Sequence, residues 1–591
     1  MILDYLKKNI LLTDGAMGTY YAELTGDYHT TCELANLQNP DIIREIHRQY
    51  LDAGAMLIRT NTFAANRSKL DVSLETLKDI IQKGYAIAEE AAKESNAFVA
   101  GSIGPIVAVD IDQNENDILE EYKIIADALL SAGARIILFE TFSSINYLKS
   151  VSRYIKEKDD SITVMAHFAV MPDGYTREGI SINHILDNVQ EIESIDIHGF
   201  NCGSGPTHLH RMIRKLDFSG DPISVLPNAG YPEIINERTV YVNNPDYFAD
   251  KMMDIKNLGV KIIGGCCGTT PEHIRVLAQK LAEGNGKETR QEPARTVHKE
   301  KHTKLQNTFQ EKLSKGEFVF AVELDPPFDT DIAKIMEGAR LCSKENIDLI
   351  TIADSPMSKV RVDSIAIACK IKREVGIDTM PHVCCRDKNV IALRSGLLAA
   401  HVEGIRNILA VTGDPVSADT LASVKGVFNL NSYKFMSLIS QMNIEVFGED
   451  PLSIGGALNL NLANKDKEVS RMMKKAENGA TFFLTQPIYE DETIDYLKTL
   501  KDRNVKILGG ILPIVSYRNA RFLNNELPGV HVPAEYVNRF NPDMTRQEAE
   551  ETGIQMAVEL AKKLKPHVDG IYFMTPFNRV SMIVEIIKRM G

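Results

Sequence analysis

Short, almost wholly apolar runs alternate with longer amphipathic stretches along most of the chain. In the first half the apolar runs are NILLTDGA, MLIRTNTF, AFVAGSIGP, RIILFET, TVMAHFAV, IHGFNC, ISVLPNAG and KIIGGCCG. Unbroken apolarity over a few residues is the pattern of a strand buried on both faces. Between the runs lie segments such as DIIREIHRQYLDAG. There Ile42, Ile43, Ile46 and Tyr50 recur at helical spacing, Asp41 is placed to cap the start, and Gly54 to stop the end. The second half repeats the scheme with FVFAVEL, LITIAD, TMPHVCC, NILAVTGD, LSIGGALN, FFLTQP, KILGGILP and GIYFMT. Eight strands alternating with helices in each half predict an α/β protein of two (β/α)₈ TIM barrels. A doubly wound open sheet has the same local pattern and is the alternative. Most runs end in polar or glycine-rich residues, so candidate chemistry belongs at the C-terminal ends of the strands.

The pattern breaks at residues 284–304, GNGKETRQEPARTVHKEKHTK. This stretch has two apolar side chains, Ala294 and Val297, and nine charged ones. It buries too little apolar area to offset its own ordering. The expected division is therefore a barrel at 1–283, a charged linker at 284–308 and a barrel at 309–591. The 591 residues carry 44% hydrophobic and 25% charged side chains, an ordinary globular balance. A net charge of −13 argues against nucleic acid or an anionic membrane as the main partner. The start, MILDYLKKNILLTDGAMG, lacks the basic, apolar and small-residue zones of a signal peptide. No run reaches the ~18 apolar residues that cross a bilayer. A cytoplasmic location is expected.

Cysteines are sparse, at positions 32, 202, 266, 267, 342, 369, 384 and 385. That spacing does not describe a disulfide scaffold. Cys202 ends the sixth apolar run and the Cys266-Cys267 pair ends the eighth, positions that share one mouth in a barrel. A glycine-rich strand end can turn both vicinal thiols toward one ion. Three sulfur ligands leave a tetrahedral zinc one position short, as a catalytic site requires. Such a site suits activation of a thiol, whose free pKa near 8.5 leaves little thiolate at neutral pH. Packing as small apolar residues is the competing account of the same cysteines.

The first half resembles the homocysteine S-methyltransferase family. The resemblance rests on TDGAMGT (13–19), CEL (32–34), IHRQYLDAGA (46–55), TNTF (60–63), SIGP (102–105), ETF (140–142), NCG (201–203), PNAG (227–230) and GGCCGTTPEHI (264–274). It implies that Cys202, Cys266 and Cys267 hold zinc, with the homocysteine thiolate as fourth ligand. It also implies that Asp14, Gly15 and Glu140 bind the amino-acid moiety, and that Thr141, Asn61 and Asn228 lie toward the methyl donor. A turn-forming role for Asp14 and a helix-capping role for Glu140 are the plain structural alternatives.

The second half has no phosphate-binding loop and no GxGxxG after a strand, so a nicotinamide-binding Rossmann unit is unsupported. Its strand ends carry Glu323, Asp354, His382, Asp414, Gln486 and Arg579. A carboxylate enclosed by apolar residues at a barrel mouth can serve as a general acid, although each of these residues can equally cap the next helix. This half is similar to the methylenetetrahydrofolate reductase family. The shared motifs are VELDPP (322–327), HVCC (382–385), LAVTGD (409–414), TQ (485–486), GILP (510–513) and NR (578–579). The resemblance implies FAD in the mouth, with His382, Thr412, Asp414 and Lys475 as its contacts. Glu323 would be the acid that protonates the pterin nitrogen, and Asp414 an electrostatic aid to the cationic intermediate. Gln486 and Arg579 would contact the folate. Two places depart from enteric-type reductases. Ala353-Asp354 stands where those have threonine and tyrosine, and ALNLN (457–461) where they carry tyrosine and histidine.

Together these readings predict a bifunctional enzyme of one-carbon metabolism with Zn²⁺ and FAD. NADH, NADPH or another reductant would supply electrons. Its substrates would be homocysteine, a folate and a methyl donor. The donor could be S-methylmethionine, S-adenosylmethionine, methyltetrahydrofolate, or methylcobalamin on an external protein. Homo-oligomerisation and an electron-transfer partner stay open. The alternative is a reductase whose first barrel methylates another thiol or selenol, or serves as a non-catalytic zinc-binding module.

Overall fold

The structure is a computed structural model. It describes residues 2–106, 115–218, 221–235, 238–241, 243–284, 305–414, 426–500, 503, 505–526 and 530–590. The chain divides into two compact units, Met1–His298 and Lys299–Gly591. Most of the expected linker, residues 285–304, lies outside the described residues.

The first unit is a parallel eight-stranded barrel. Its strands are β1 (Leu11–Leu12), β2 (Leu57–Arg59), β3 (Phe98–Ile103), β4 (Ile136–Phe142), β5 (Thr163–Phe168), β6 (Ile197–Asn201), β7 (Ile223–Leu226) and β10 (Ile262–Ile263). The order is β1-β10-β7-β6-β5-β4-β3-β2. A parallel bridge between Thr13 and Leu57 closes the ring, with Met56 N donating to Leu12 O (2.8 Å) and Asp14 N to Leu57 O (3.0 Å). All eight apolar runs form these strands. A small antiparallel hairpin, β8 (Pro232–Ile235) and β9 (Arg238–Tyr241), follows β7 and did not stand out in the sequence. The second unit is a closed barrel of β11 (Val319–Leu324), β12 (Leu349–Ile352), β13 (Thr379–Cys384), β14 (Asn407–Val411), β15 (Ser453–Leu458), β16 (Phe482–Pro487), β17 (Lys506–Ile511) and β18 (Gly570–Met574), in that order. The chain is thus two (β/α)₈ TIM barrels.

The helix expected around Ile42 spans Pro40–Asp52 and starts from Asn39, with Pro40 in its first turn. Proline's fixed φ suits that position, so Asp41 lies inside the first turn and bonds the Arg44 guanidinium instead of capping. Ile43, Ile46, His47 and Tyr50 are buried, Ile42 only partly.

Each barrel has two apolar layers. The outer one lies between strands and helices. The inner one fills the bore. In the first barrel Leu11, Leu57, Ala100, Ile136, Met165, Ile197 and Ile262 meet Ile2 and Leu6 of the helix Ile2–Leu6. In the second, Val319, Leu349, Phe482 and Leu508 meet Phe309 and Leu313 of the helix Thr308–Ser314. The Phe309 and Phe482 rings meet edge to face at 5.4 Å. Each short helix plugs the end of the bore where the strands begin. The opposite ends, where the strands finish, are not covered by such a helix, and the candidate catalytic side chains lie there.

Candidate active sites at the two barrel mouths

In the first barrel the strand ends bring three thiols together. The Sγ atoms of Cys202, Cys266 and Cys267 all lie within 4.8 Å of one another, and Cys202 Sγ is 3.8 Å from Cys267 Sγ. Backbone bonds fix both approaches. Cys202 N donates to Leu226 O (3.2 Å), Cys266 N to Pro227 O (2.8 Å), and Ala229 N to Cys267 O (3.0 Å). A Cβ on Gly264 would lie 2.1 Å from Thr13 Oγ1, so only glycine lets the strand enter the pair this closely. Cys202 has φ +59 and Thr141 φ +68. Left-handed conformations in such residues cost of order 1–3 kcal/mol each and cluster at functional sites. Asn201 ties the two strained positions together: Thr141 N donates to its Oδ1 (2.8 Å), and its Nδ2 to Thr141 Oγ1 (2.9 Å). Hydrogen bonds from Cys266 and Cys267 hold the Cys202 thiol far below the ordinary range. The same bond to Cys202 pushes Cys266 up, and Cys267 rises likewise.

Beside the thiols lies a buried ion network. Arg59, at the end of β2, donates Nε to Asp14 Oδ1 (2.7 Å) and Nη1 to Glu140 Oε2 (2.9 Å). Its Nη2 donates to Gly15 O (2.6 Å) and Gly265 O (2.8 Å), and its backbone N to Asp14 Oδ2 (2.8 Å). Ser102 Oγ donates to Glu140 Oε1. Asn201 Nδ2 reaches Glu140 Oε2 (3.4 Å) and Cys266 Sγ (3.7 Å), linking this network to the thiols. Burial raises Asp14 to about 6 against the pull of Arg59. Arg59 was not among the expected residues. Its signal was a single charge inside the apolar run MLIRTNTF.

The structure groups Cys202, Cys266, Cys267, Asp14, Gly15, Glu140 and Thr141 at this mouth. Asn228 is buried against Cys202, and its Oδ1 has no hydrogen-bond partner. Asn61 is tied elsewhere. It donates to Cys32 O (2.8 Å) and Asn36 Oδ1 (2.9 Å) and accepts from Cys32 Sγ (3.0 Å). Tyr241, at the end of the unforeseen hairpin, packs on Gly268 and hydrogen-bonds Cys267.

In the second barrel Glu323 is the penultimate residue of β11, with its carboxyl inside the mouth. Burial pushes it up to about 8, and Asp325 adds to the rise. Tyr572, from β18, donates its phenol to Glu323 Oε2. His382 Nε2 lies 3.7 Å from the same oxygen and has no hydrogen-bond partner. Burial lowers His382 to about 4, so the ring is neutral. Asn578 grips the backbone after Glu323 from both sides: its Oδ1 accepts from Asp325 N (3.0 Å) and its Nδ2 donates to Asp325 O (3.0 Å).

Asp414 Oδ2 accepts from Met357 N (2.8 Å). Ser358 Oγ and Arg386 Nη1 both reach Asp414 O at 3.2 Å. The segment so held carries three left-handed residues, Ser355, Met357 and Ser358. Asp354, one of the departures, accepts from Cys384 N (3.0 Å) and faces Lys388 at 3.6 Å. Thr412 Oγ1 accepts from Ser432 N (3.2 Å). Lys475 folds against the end of β15, donating to Ala457 O (2.5 Å). The Gln486 side chain is exposed. Arg579 pairs with Glu550 (3.3 Å) beside the exposed Phe577 ring. Glu323 and His382 are thus side by side, whereas Asp414, Lys475 and Arg579 each have a partner on their own rim.

Residues 11–281 match the homocysteine S-methyltransferase family, and residues 308–591 match the methylenetetrahydrofolate reductase family. Among curated proteins, the methionine synthase of Mycobacterium leprae (strain TN) is 33% identical over 311 residues. That of Mycobacterium tuberculosis (strain ATCC 25618 / H37Rv) is 34% identical over 308. Each alignment covers 48% of this chain and 25% of the relative, so the match spans a quarter of those proteins' length. Among solved structures, the metallated form of the homocysteine methyltransferase MmuM from Escherichia coli is similar at 22% identity and a TM-score of 0.40. It covers 47% of this chain and 98% of that chain.

Proposed function

Because the chain joins a homocysteine S-methyltransferase domain to a methylenetetrahydrofolate reductase domain, we propose that it is a bifunctional enzyme making methionine and 5-methyltetrahydrofolate. The observation that carries the first activity is the convergence of three thiols beside the Asp14–Arg59–Glu140 network.

Three sulfur donors at a glycine-rich strand end fit a tetrahedral zinc with one open position. A bound zinc supplies the positive charge that ionises an alkyl thiol near neutral pH. Cys202, Cys266 and Cys267 would hold it. Asp14 and Glu140 against one guanidinium leave a single net negative charge, which binds the homocysteine ammonium group. Arg59 fixes both carboxylates, and with them the direction from which the substrate sulfur enters. The sulfur then attacks the donor's methyl carbon, and the leaving group departs with the bonding pair. Asn201 and Ser102 keep Glu140 in place.

In the second barrel the unpartnered His382 Nε2 and the polar rim fit a flavin. Bound FAD, once reduced by NADH, NADPH or another reductant, would supply the hydride. Glu323, protonated up to about pH 8, delivers its proton to the folate nitrogen that leaves the bridging methylene. Asp414, held at the rim by Met357 N, supplies negative charge to the cationic stage, and Gln486 reaches the pterin. Among the described residues no helix is long and apolar enough to cross a membrane.

The test is compositional and kinetic. Purified protein is expected to hold one zinc and one FAD per chain. Methionine formation should be assayed with each methyl donor in turn, and flavin oxidation by methylenetetrahydrofolate separately, with NADH and NADPH as reductants. Methyl transfer to other thiols but never to homocysteine would sink the first assignment. Undiminished reductase turnover in Glu323→Gln would sink the second.

A further inference from the structure

Glu323 does not stand alone in the bore of the second barrel. Tyr572 occupies the layer beneath it: in the β11–β18 ladder Tyr572 is opposite Ala321, two residues before Glu323. Alanine at that position leaves room for the ring to rise toward the mouth. Tyr572 is 5% exposed and packs with the inner apolar layer, yet its hydroxyl is not apolar. A buried phenol needs a partner, and the partner present is Glu323 Oε2.

We propose that Tyr572 is a positioning residue for the acid of the reductase: its phenol holds the Glu323 carboxyl in one rotamer and stabilises its ionised form. This rests on the reading of Glu323 as that acid. Without such a donor, a carboxyl this deeply buried would keep its proton too firmly to release it to an amine nitrogen. The phenol itself stays protonated, because burial raises it well above its usual value. It therefore acts as a donor and not as a relay. The other groups around the carboxyl are Asp325 on the same strand, itself facing Arg361, and neutral His382 at 3.7 Å. Thr351 lies across the ladder from Glu323. Among the described residues, His382 is the one basic side chain within 4 Å of the acid. The phenol is therefore the donor that favours the carboxylate.

The experiment is an infrared titration of the full chain, with and without FAD. The Glu323 C=O band is identified by its loss in Glu323→Gln. The wild-type band is expected to disappear with a midpoint near pH 8. In Tyr572→Phe the midpoint should rise by about one pH unit, the equivalent of one charge-assisted hydrogen bond. Replacing Tyr572 by 3-fluorotyrosine keeps the shape and acidifies the phenol, so the midpoint should fall. This second variant also serves if the phenylalanine protein does not fold. The rate at which methylenetetrahydrofolate reoxidises pre-reduced enzyme should lose its alkaline limb at the same shifted pH values. A midpoint that stays put in both variants, or moves the same way in both, overturns the proposal. If Glu323→Gln is inactive while both midpoints are unmoved, only the role of Tyr572 fails. If Glu323→Gln turns over normally, the assignment of the acid fails with it.

Discussion

Arg59 and Glu140 meet end to end at the first barrel mouth, Nη1 to Oε2 at 2.9 Å, with both side chains 8% exposed. The other edge of the same guanidinium holds Asp14, and its tip is spent on two backbone carbonyls. One cation thus organises two strand ends, and several expectations follow from it and from the thiols nearby.

Arg59→Met should be among the most damaging single changes in the first unit. It leaves two buried carboxylates without their cation, a loss of about 3–5 kcal/mol. Chemical denaturation of the purified variant checks this, and a loss below 1 kcal/mol would contradict it. Arg59→Lys should recover only part, since an ammonium cannot span both carboxylates in fork geometry.

Asp14 gives a pH signature. Its folded value of about 6 lies above its ordinary 3.8. Between those values the folded state binds more protons than the unfolded one, so this contribution to stability is present below pH 4 and is lost as pH rises to 6. The change is about 2–3 kcal/mol. Melting temperatures across that window should show a falling component in the wild type that is missing from Asp14→Asn.

Cys202→Ser, Cys266→Ser and Cys267→Ser should each lower zinc content at least tenfold and abolish methionine formation. Cys32→Ser is the contrast. Cys32 is bonded to Asn61 and should leave zinc at one per chain. Equal zinc loss in all four, by metal analysis after dialysis, would mean that the ion sits elsewhere.

Gly413 has φ +97, and a Cβ there would fall 2.0 Å from Cys384 Sγ. Gly413→Ala should therefore destabilise the second unit by about 1–3 kcal/mol and weaken FAD retention, since Thr412 and Asp414 flank it. Adding Cys384→Ala should recover the steric part of the loss but not the conformational part. A double-mutant cycle by thermal melts reads the difference.

Both barrels were legible because a strand covered on two faces reads as an unbroken apolar run, and all sixteen runs form strands. The thiol cluster was legible because sequence order and barrel geometry alone bring the ends of β6 and β10 to one mouth. The partners of the acidic groups were not. Arg59 and Tyr572 lie inside apolar runs, where arginine reads as a stray charge and tyrosine as core. Which carboxylate each meets depends on which layer of the bore it occupies, and that is set by the stagger between strands far apart in sequence. The hairpin Pro232–Tyr241 was missed because its strands belong to no barrel pattern. Asp41 was misplaced because Pro40 started the helix earlier.

The stoppers Ile2–Leu6 and Thr308–Ser314 have a kinetic consequence. With one end of each bore sealed by packed side chains, that barrel has a single doorway. Substrate, second substrate and product all reach the chemistry from that side, so product left at the mouth competes with the next reactant for the same space. In either unit, accumulated product should then inhibit by occupying the passage its precursor needs.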